Sequence, residues 1–254
     1  MQATARRLSV VSATSCARRR LIRSVRLNLN TTCQMGLNLE VGIIADLLVN
    51  DEEGAEHFSD EFAVLSRYLT SIHLQPHVDP TDVEVWSSDM YGYSGLHYLR
   101  RFAAHIHYTQ KLPTPGDENA SKDALLTRYF TDFDRSDPRK AFGTFDHLLI
   151  HSDAEGYYIP QDFERVLIPG DSFPVAGGMV GSSQRLRDET RRLAALLELP
   201  LDLDPEDEQV YEAAESQGAG PTTWQRYGRE SYSCLRLYHA ASHSITTGAA
   251  VVFT

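Results

Sequence analysis

The stretch Leu37 to Val41, reading LNLEV, alternates apolar Leu37, Leu39 and Val41 with polar Asn38 and Glu40. That period of two is the signature of a strand with one buried face. At the far end Ala249 to Thr254, AAVVFT, reads as a second strand, set off by Gly248, which ends a helix carrying Trp224, Tyr227, Leu235, Tyr238, Ala241 and Ile245. Between these two strands most apolar residues recur at helical spacing. Ile43 to Val49 reads as a short helix and Glu56 to Ile72 as a longer one, before Pro76 and Pro80 stop regular structure. From Tyr93 to Tyr108, Leu96, Leu99, Phe102, Ala103 and Ile106 form a core stripe.

Further helices are predicted at Lys122 to Phe130, at Phe142 to Ile150, and after a cap at Ser182 or Ser183, where Leu186, Leu193, Leu196 and Leu197 point inward. Tyr157 to Phe163 reads as an edge strand because Pro160 interrupts it. The acidic run LDLDPEDEQVYEAAE, residues 201–215, lacks apolar periodicity and reads as a solvated loop with at most one helical turn. The predicted class is α+β, a predominantly helical layer packed on a small sheet that includes strands from both ends of the body.

Composition narrows what such a body does. The chain has 254 residues, 42% hydrophobic and 23% charged, which is the balance of an ordinary globular protein. No apolar run approaches the roughly 20 residues that cross a bilayer, so no membrane association is expected. Residues 1–34 hold seven Arg and no Asp or Glu. They read as a disordered leader, either a transit peptide or a start assigned too early, ahead of a single globular α+β domain at 35–254. The body then carries 17 basic against 35 acidic residues, a net −18. Such a charge repels phosphate backbones, so no nucleic acid is expected, and a basic protein partner fits better. Cys16 and Cys33 belong to the leader, leaving Cys234 as a buried thiol on a helix stripe. This pattern implies neither disulfide framework nor cysteine zinc site, and it predicts a cytoplasmic location, with organelle targeting only if residues 1–34 are a transit peptide.

The polar density of DHLLIHSDAEGYYIPQDF, residues 146–163, marks a candidate site. His147 and His151 lie four apart, with Asp153 and Glu155 following as oxygen donors, so a weak divalent metal site at His147, His151 and Asp153 is one reading. Leu148 stands where a zinc protease of the H-E-x-x-H type needs Glu, and helix-end packing of the histidines reads the same residues. His97, Arg101 and His105 share a second helical face, beside Tyr93 and Arg100, that would take an anionic ligand or pair with the protein's own acids. If the two regions abut, Tyr93, His97, Arg101, His147, His151, Asp153, Glu155 and Tyr157 form one polar pocket. GGMVGSSQRL, residues 177–186, lacks the Lys of a phosphate loop and reads as a turn with a helix cap. Ser94 and Ser172 miss the serine-nucleophile context, and Asp202, Asp204, Glu206 and Asp207 miss the Gly and Glu of a calcium loop.

Through YSGLHYLRRF, HSDAEGYYIPQDF and GGMVGSSQRL the body, from Met35 to Thr254, resembles an uncharacterised bacterial protein family with no assigned activity. The resemblance implies that these three segments form one module and that Met35 is the usual start. Two functions remain: a non-catalytic acidic soluble protein that binds a basic partner, and a metal-assisted hydrolase or small anionic ligand-binding domain using the His/Asp/Glu/Arg pocket.

Overall fold

The computed structural model describes residues 37–254, apart from 117, 118, 138, 153, 154 and 217 and the side chains of 92–94. The readings on residues 1–34 lie outside the described residues. Strand β1 (Asn38–Val41) pairs antiparallel with β5 (Val251–Phe253), with Leu39 opposite Phe253, so the two ends of the body meet in one sheet as expected. The fold is α+β. The sheet has the order β2-β1-β5-β3-β4, adding β2 (Trp86–Asp89), β3 (Tyr157–Ile159) and β4 (Val180–Ser182).

Alternation along the strands divides the interior in two. Leu39, Val41, Tyr158, Val251 and Phe253 face one core, and Tyr157, Ile159, Val180 and Val252 face the other. Helices cover both faces of the sheet. Over the second face lie α1 (Ile43–Asn50) and α2 (Glu52–Ser71), whose Phe62, Leu65 and Leu69 are buried. Over the first lie α3 (Gly92–Thr109), α4 (Ala124–Asp134), α5 (Asp146–Leu149), α6 (Ser183–Leu197), α7 (Glu208–Glu215), α8 (Thr223–Arg226) and α9 (Gly228–Thr247). The α3 stripe Leu96, Leu99, Phe102, Ala103 and Ile106 is buried as predicted. On α6 the inner stripe is Leu186, Leu193 and Leu197, while Leu196 is exposed.

Four readings of the sequence need correction, each for a local reason. The strand at Tyr157 ends at Ile159 and is interior, paired parallel to β4 and antiparallel to β5. Pro160 follows the ladder instead of interrupting it, so its missing N–H costs no bond. The helix expected over 142–150 shrinks to α5, because the Asp146 carboxylate accepts the amides of Phe142 (2.7 Å) and Gly143 (2.9 Å) and curls that segment into a loop. The acidic run contains α7, capped by Asp207 accepting from Gln209 N at 3.0 Å, with Val210, Ala213 and Ala214 buried. Finally, α2 begins four residues early, where Asp51 caps it by accepting from Gly54 N at 3.1 Å. Glu52 and Glu53 in its first turn face the positive end of the helix dipole.

Cys234 is buried on α9, its thiol donating to Thr190 O at 3.2 Å, and burial raises its pKa. No helix among the described residues is long and apolar enough to cross a membrane.

Candidate acidic interface and cleft

The predicted polar pocket is divided among three places. His147 and His151 are inside the protein, 1% and 2% exposed. Ser182 N donates to His147 Nδ1 at 3.0 Å, which fixes the neutral tautomer with its proton on Nε2, directed to Glu164 O at 3.3 Å. His151 lies beyond the end of α5 and stacks on Tyr158, with ring centroids 4.0 Å apart. Its two ring nitrogens face Ser152 O (3.0 Å) and Tyr157 O (3.1 Å), a setting that favours the cation. Burial, helped by the Arg100 charge, wins for His151, and burial does the same for His147; both pKa values are lowered to about 4. The neighbouring Arg100 is buried and donates to the carbonyls of Leu148, His151 and Ser152, closing the C-terminal end of α5.

Arg101 belongs to a second cluster. Its guanidinium donates to Thr114 O at 3.1 Å and reaches Asp123 Oδ2 at 3.4 Å, where His105 Nε2 also lies at 2.9 Å. The other Asp123 oxygen accepts from Leu125 N and Leu126 N and caps α4. Burial pushes Asp123 up, but the His105 bond and these amides outweigh it and hold its pKa below the ordinary value. Of the two readings of this helical face, pairing with the protein's own acids is the one that Arg101 and His105 follow. His97 is partly buried on α3. The side chain of Tyr93 and all of Asp153 lie outside the described residues. Among the described residues no three His, Cys, Asp or Glu gather as a metal would require.

Glu155 and Tyr157 occupy the third place, a cleft of about 450 Å³ between α2 and the segment 174–177. Glu155 is exposed, whereas Tyr157 is buried and donates its hydroxyl to Glu61 Oε2 of α2 at 2.8 Å. Burial first, then the Glu61 bond and the charges of Glu61 and Glu155, raise the Tyr157 pKa. Glu61 lies far away in sequence, and only strand pairing and α2 packing bring it to this tyrosine.

The cleft opens in a surface of one sign. Residues 37–66 contain eight Asp and Glu and no Lys or Arg, and residues 193–225 contain another eight and again no Lys or Arg. Asp51, Glu52, Glu53, Glu56 and Asp60 are exposed along α2. Glu208, Glu212 and Glu215 form the outer stripe of α7, opposite its buried Val210, Ala213 and Ala214. These helices cover opposite faces of the sheet. Between them run exposed Asp82, Glu84 and Asp89, tied to the first helix pair by Val83 against Gly42 and to the second by Ser88 donating to Glu206 at 2.6 Å.

Part of the positive charge is meanwhile withdrawn or locally matched. Arg100, Arg101 and Arg236 are buried, and Arg128, Arg139, Arg185 and Arg191 each pair with an aspartate. Arg236 lies over the Tyr232 ring at 3.4 Å and donates to Glu206 at 3.1 Å, anchoring the acidic segment from beneath. Apolar periodicity does not reveal α7, whereas the absence of Lys and Arg over 193–225 is a signal of this surface in the sequence itself.

Comparison with curated proteins and with solved structures finds no match to the chain. A family model described as "Putative DNA-mimic protein" matches residues 35–253, and by that match across most of its length the chain belongs to this family.

Proposed function

We propose that this protein is a DNA mimic: it presents carboxylates in place of phosphates and occupies the DNA-binding surface of another protein. The observation that carries this is the charge density of α2. Asp51, Glu52, Glu53, Glu56, Asp60 and Glu61 span about 15 Å of helix at the standard rise, close to one charge per 2.5 Å. Duplex DNA carries about one charge per 3.4 Å on each strand and one per 1.7 Å on both. A DNA-binding face, built to neutralise that density with Lys and Arg, meets a comparable one here. Along α7, Asp207, Glu208, Glu212 and Glu215 repeat the pattern over about 12 Å.

Family membership overturns two expectations. The functional reading, an acidic protein that binds a basic partner, with a metal-assisted hydrolase or anionic-ligand domain as alternative, gives way to mimicry of DNA. The divided pocket fits this correction: His147 and His151 are buried and Arg101 is engaged internally. The partner expectation is corrected as well. A basic protein in general becomes a DNA-binding protein in particular, while the expectation that the chain itself binds no nucleic acid is consistent with mimicry.

The test takes host proteins retained on DNA-cellulose, selects those that bind the immobilised full chain, and titrates each complex with a fluorescent duplex. Mutual exclusion of duplex and chain is expected, with binding that weakens steeply as salt rises. A partner that holds chain and duplex together, or no binder in the DNA-retained fraction, overturns the reading.

A further inference from the structure

We propose that the cleft between α2 and the 174–177 segment receives an arginine side chain of the partner, with its guanidinium between Glu61 and Glu155. This rests on the DNA-mimic reading and gives that surface a specific anchor point. The walls are Phe58 of α2 and Val175, and Tyr157 forms the floor. Glu61 is oriented by the Tyr157 hydroxyl at 2.8 Å. Glu155 lines the same cleft as Glu61, so both carboxylates belong to one site. Gly177 sets the spacing: it holds φ +68°, and a side chain there would strike the Glu155 backbone, so glycine lets the turn close against Glu155.

The occupant follows from chemistry. Two carboxylates exclude an anion, and apolar walls beneath them suit a long aliphatic stem carrying a cation at its tip. Between Lys and Arg, the planar guanidinium is favoured, since it bonds two carboxylates at once and stacks on aromatic rings. DNA-binding proteins insert arginines into narrow minor grooves, where negative potential is concentrated. The cleft stands in for such a groove amid the carboxylates that stand in for phosphates.

The probe is N-acetyl-arginine amide, titrated into the isotope-labelled full chain while amide shifts are followed, with the uncharged citrulline analogue as control. Saturable shifts at Gly156, Tyr157 and Gly177 are expected for arginine alone. The double variant Glu61→Gln/Glu155→Gln, isosteric at both positions, is expected to bind at least about tenfold more weakly, whereas Glu208→Gln/Glu212→Gln binds as the unaltered protein does. Equal response to citrulline, shifts spread evenly over α2 and α7, or wild-type affinity in the double variant overturns the proposal. Loss of this site with duplex displacement intact leaves mimicry standing. Arginine bound in the cleft of a chain that displaces no duplex sustains the cleft and overturns mimicry.

Discussion

Glu230, near the start of α9, is a buried carboxyl, 2% exposed, with Oε1 lacking a hydrogen-bond partner. Burial raises its pKa to about 7 despite its own backbone amide and the nearby Arg101 and Arg229. The folded protein therefore keeps a proton that the unfolded chain releases at its ordinary value near 4.5, and stability present below that pH is lost as pH rises through about 7. His147 and His151 act in the opposite sense. Their folded pKa of about 4 lies below the ordinary 6.5, so their contribution is present above 6.5 and lost as pH falls toward 4. Glu230→Gln removes the first effect alone. Urea midpoints from pH 5 to 8.5 are expected to show the variant gaining on the unaltered protein as pH rises, reaching roughly 3 kcal/mol at pH 8.5. Parallel curves would rule out a neutral Glu230 in the folded state.

Among elements, α7 and α9 approach closely in backbone terms at Gly228. A side chain at Gly228 would run into the carbonyl of Ala213, so glycine is what lets the two helices approach. The same crossing explains why the predicted helix from Trp224 onward is broken at Tyr227 into α8 and α9. Gly228→Ala is expected to push α7 outward and destabilise the fold by about 2 kcal/mol or more, as overpacking does. Hydrogen exchange should localise the damage, with amides of 208–215 exchanging faster while β1 and β5 hold. Uniform exchange over all elements would show that α7 is not seated through this glycine. Gly181 plays a comparable part in β4, where any side chain would collide with the Tyr158 ring.

Over the whole molecule, crowding carboxylates on two faces with few compensating cations makes the folded state self-repulsive. The full chain has a formal charge of −11, and most carboxylates of its Lys- and Arg-free stretches are exposed. Raising sodium chloride from 10 to 200 mM should shorten the screening length from about 30 Å to under 10 Å and raise the melting temperature. Neutralising Glu52, Glu53, Glu56 and Asp60 with Gln and Asn should reduce that salt response. A melting temperature indifferent to salt would mean that the carboxylates do not repel one another appreciably, against the packed charge drawn for the mimic surface.

Much of this protein was legible in local pattern. The alternation of LNLEV, the apolar stripe of α3, the Gly248 stop and the buried Cys234 all follow from spacing that a short segment enforces on itself, and the sign of the surface follows from counting charges. The α7 helix and the interior position of β3 were not legible, because their burial depends on neighbours distant in the chain: Gly228 for one, β4 and β5 for the other. The candidate site divides on the same line. Adjacent histidines and acids suggested a single pocket, yet tertiary packing leaves His147 and His151 inside and Glu155 exposed, lining a cleft with a glutamate from α2. Periodicity and charge are properties of a segment, whereas partners across a sheet are chosen only when non-local segments compete for the same buried area, and that choice belongs to the tertiary structure.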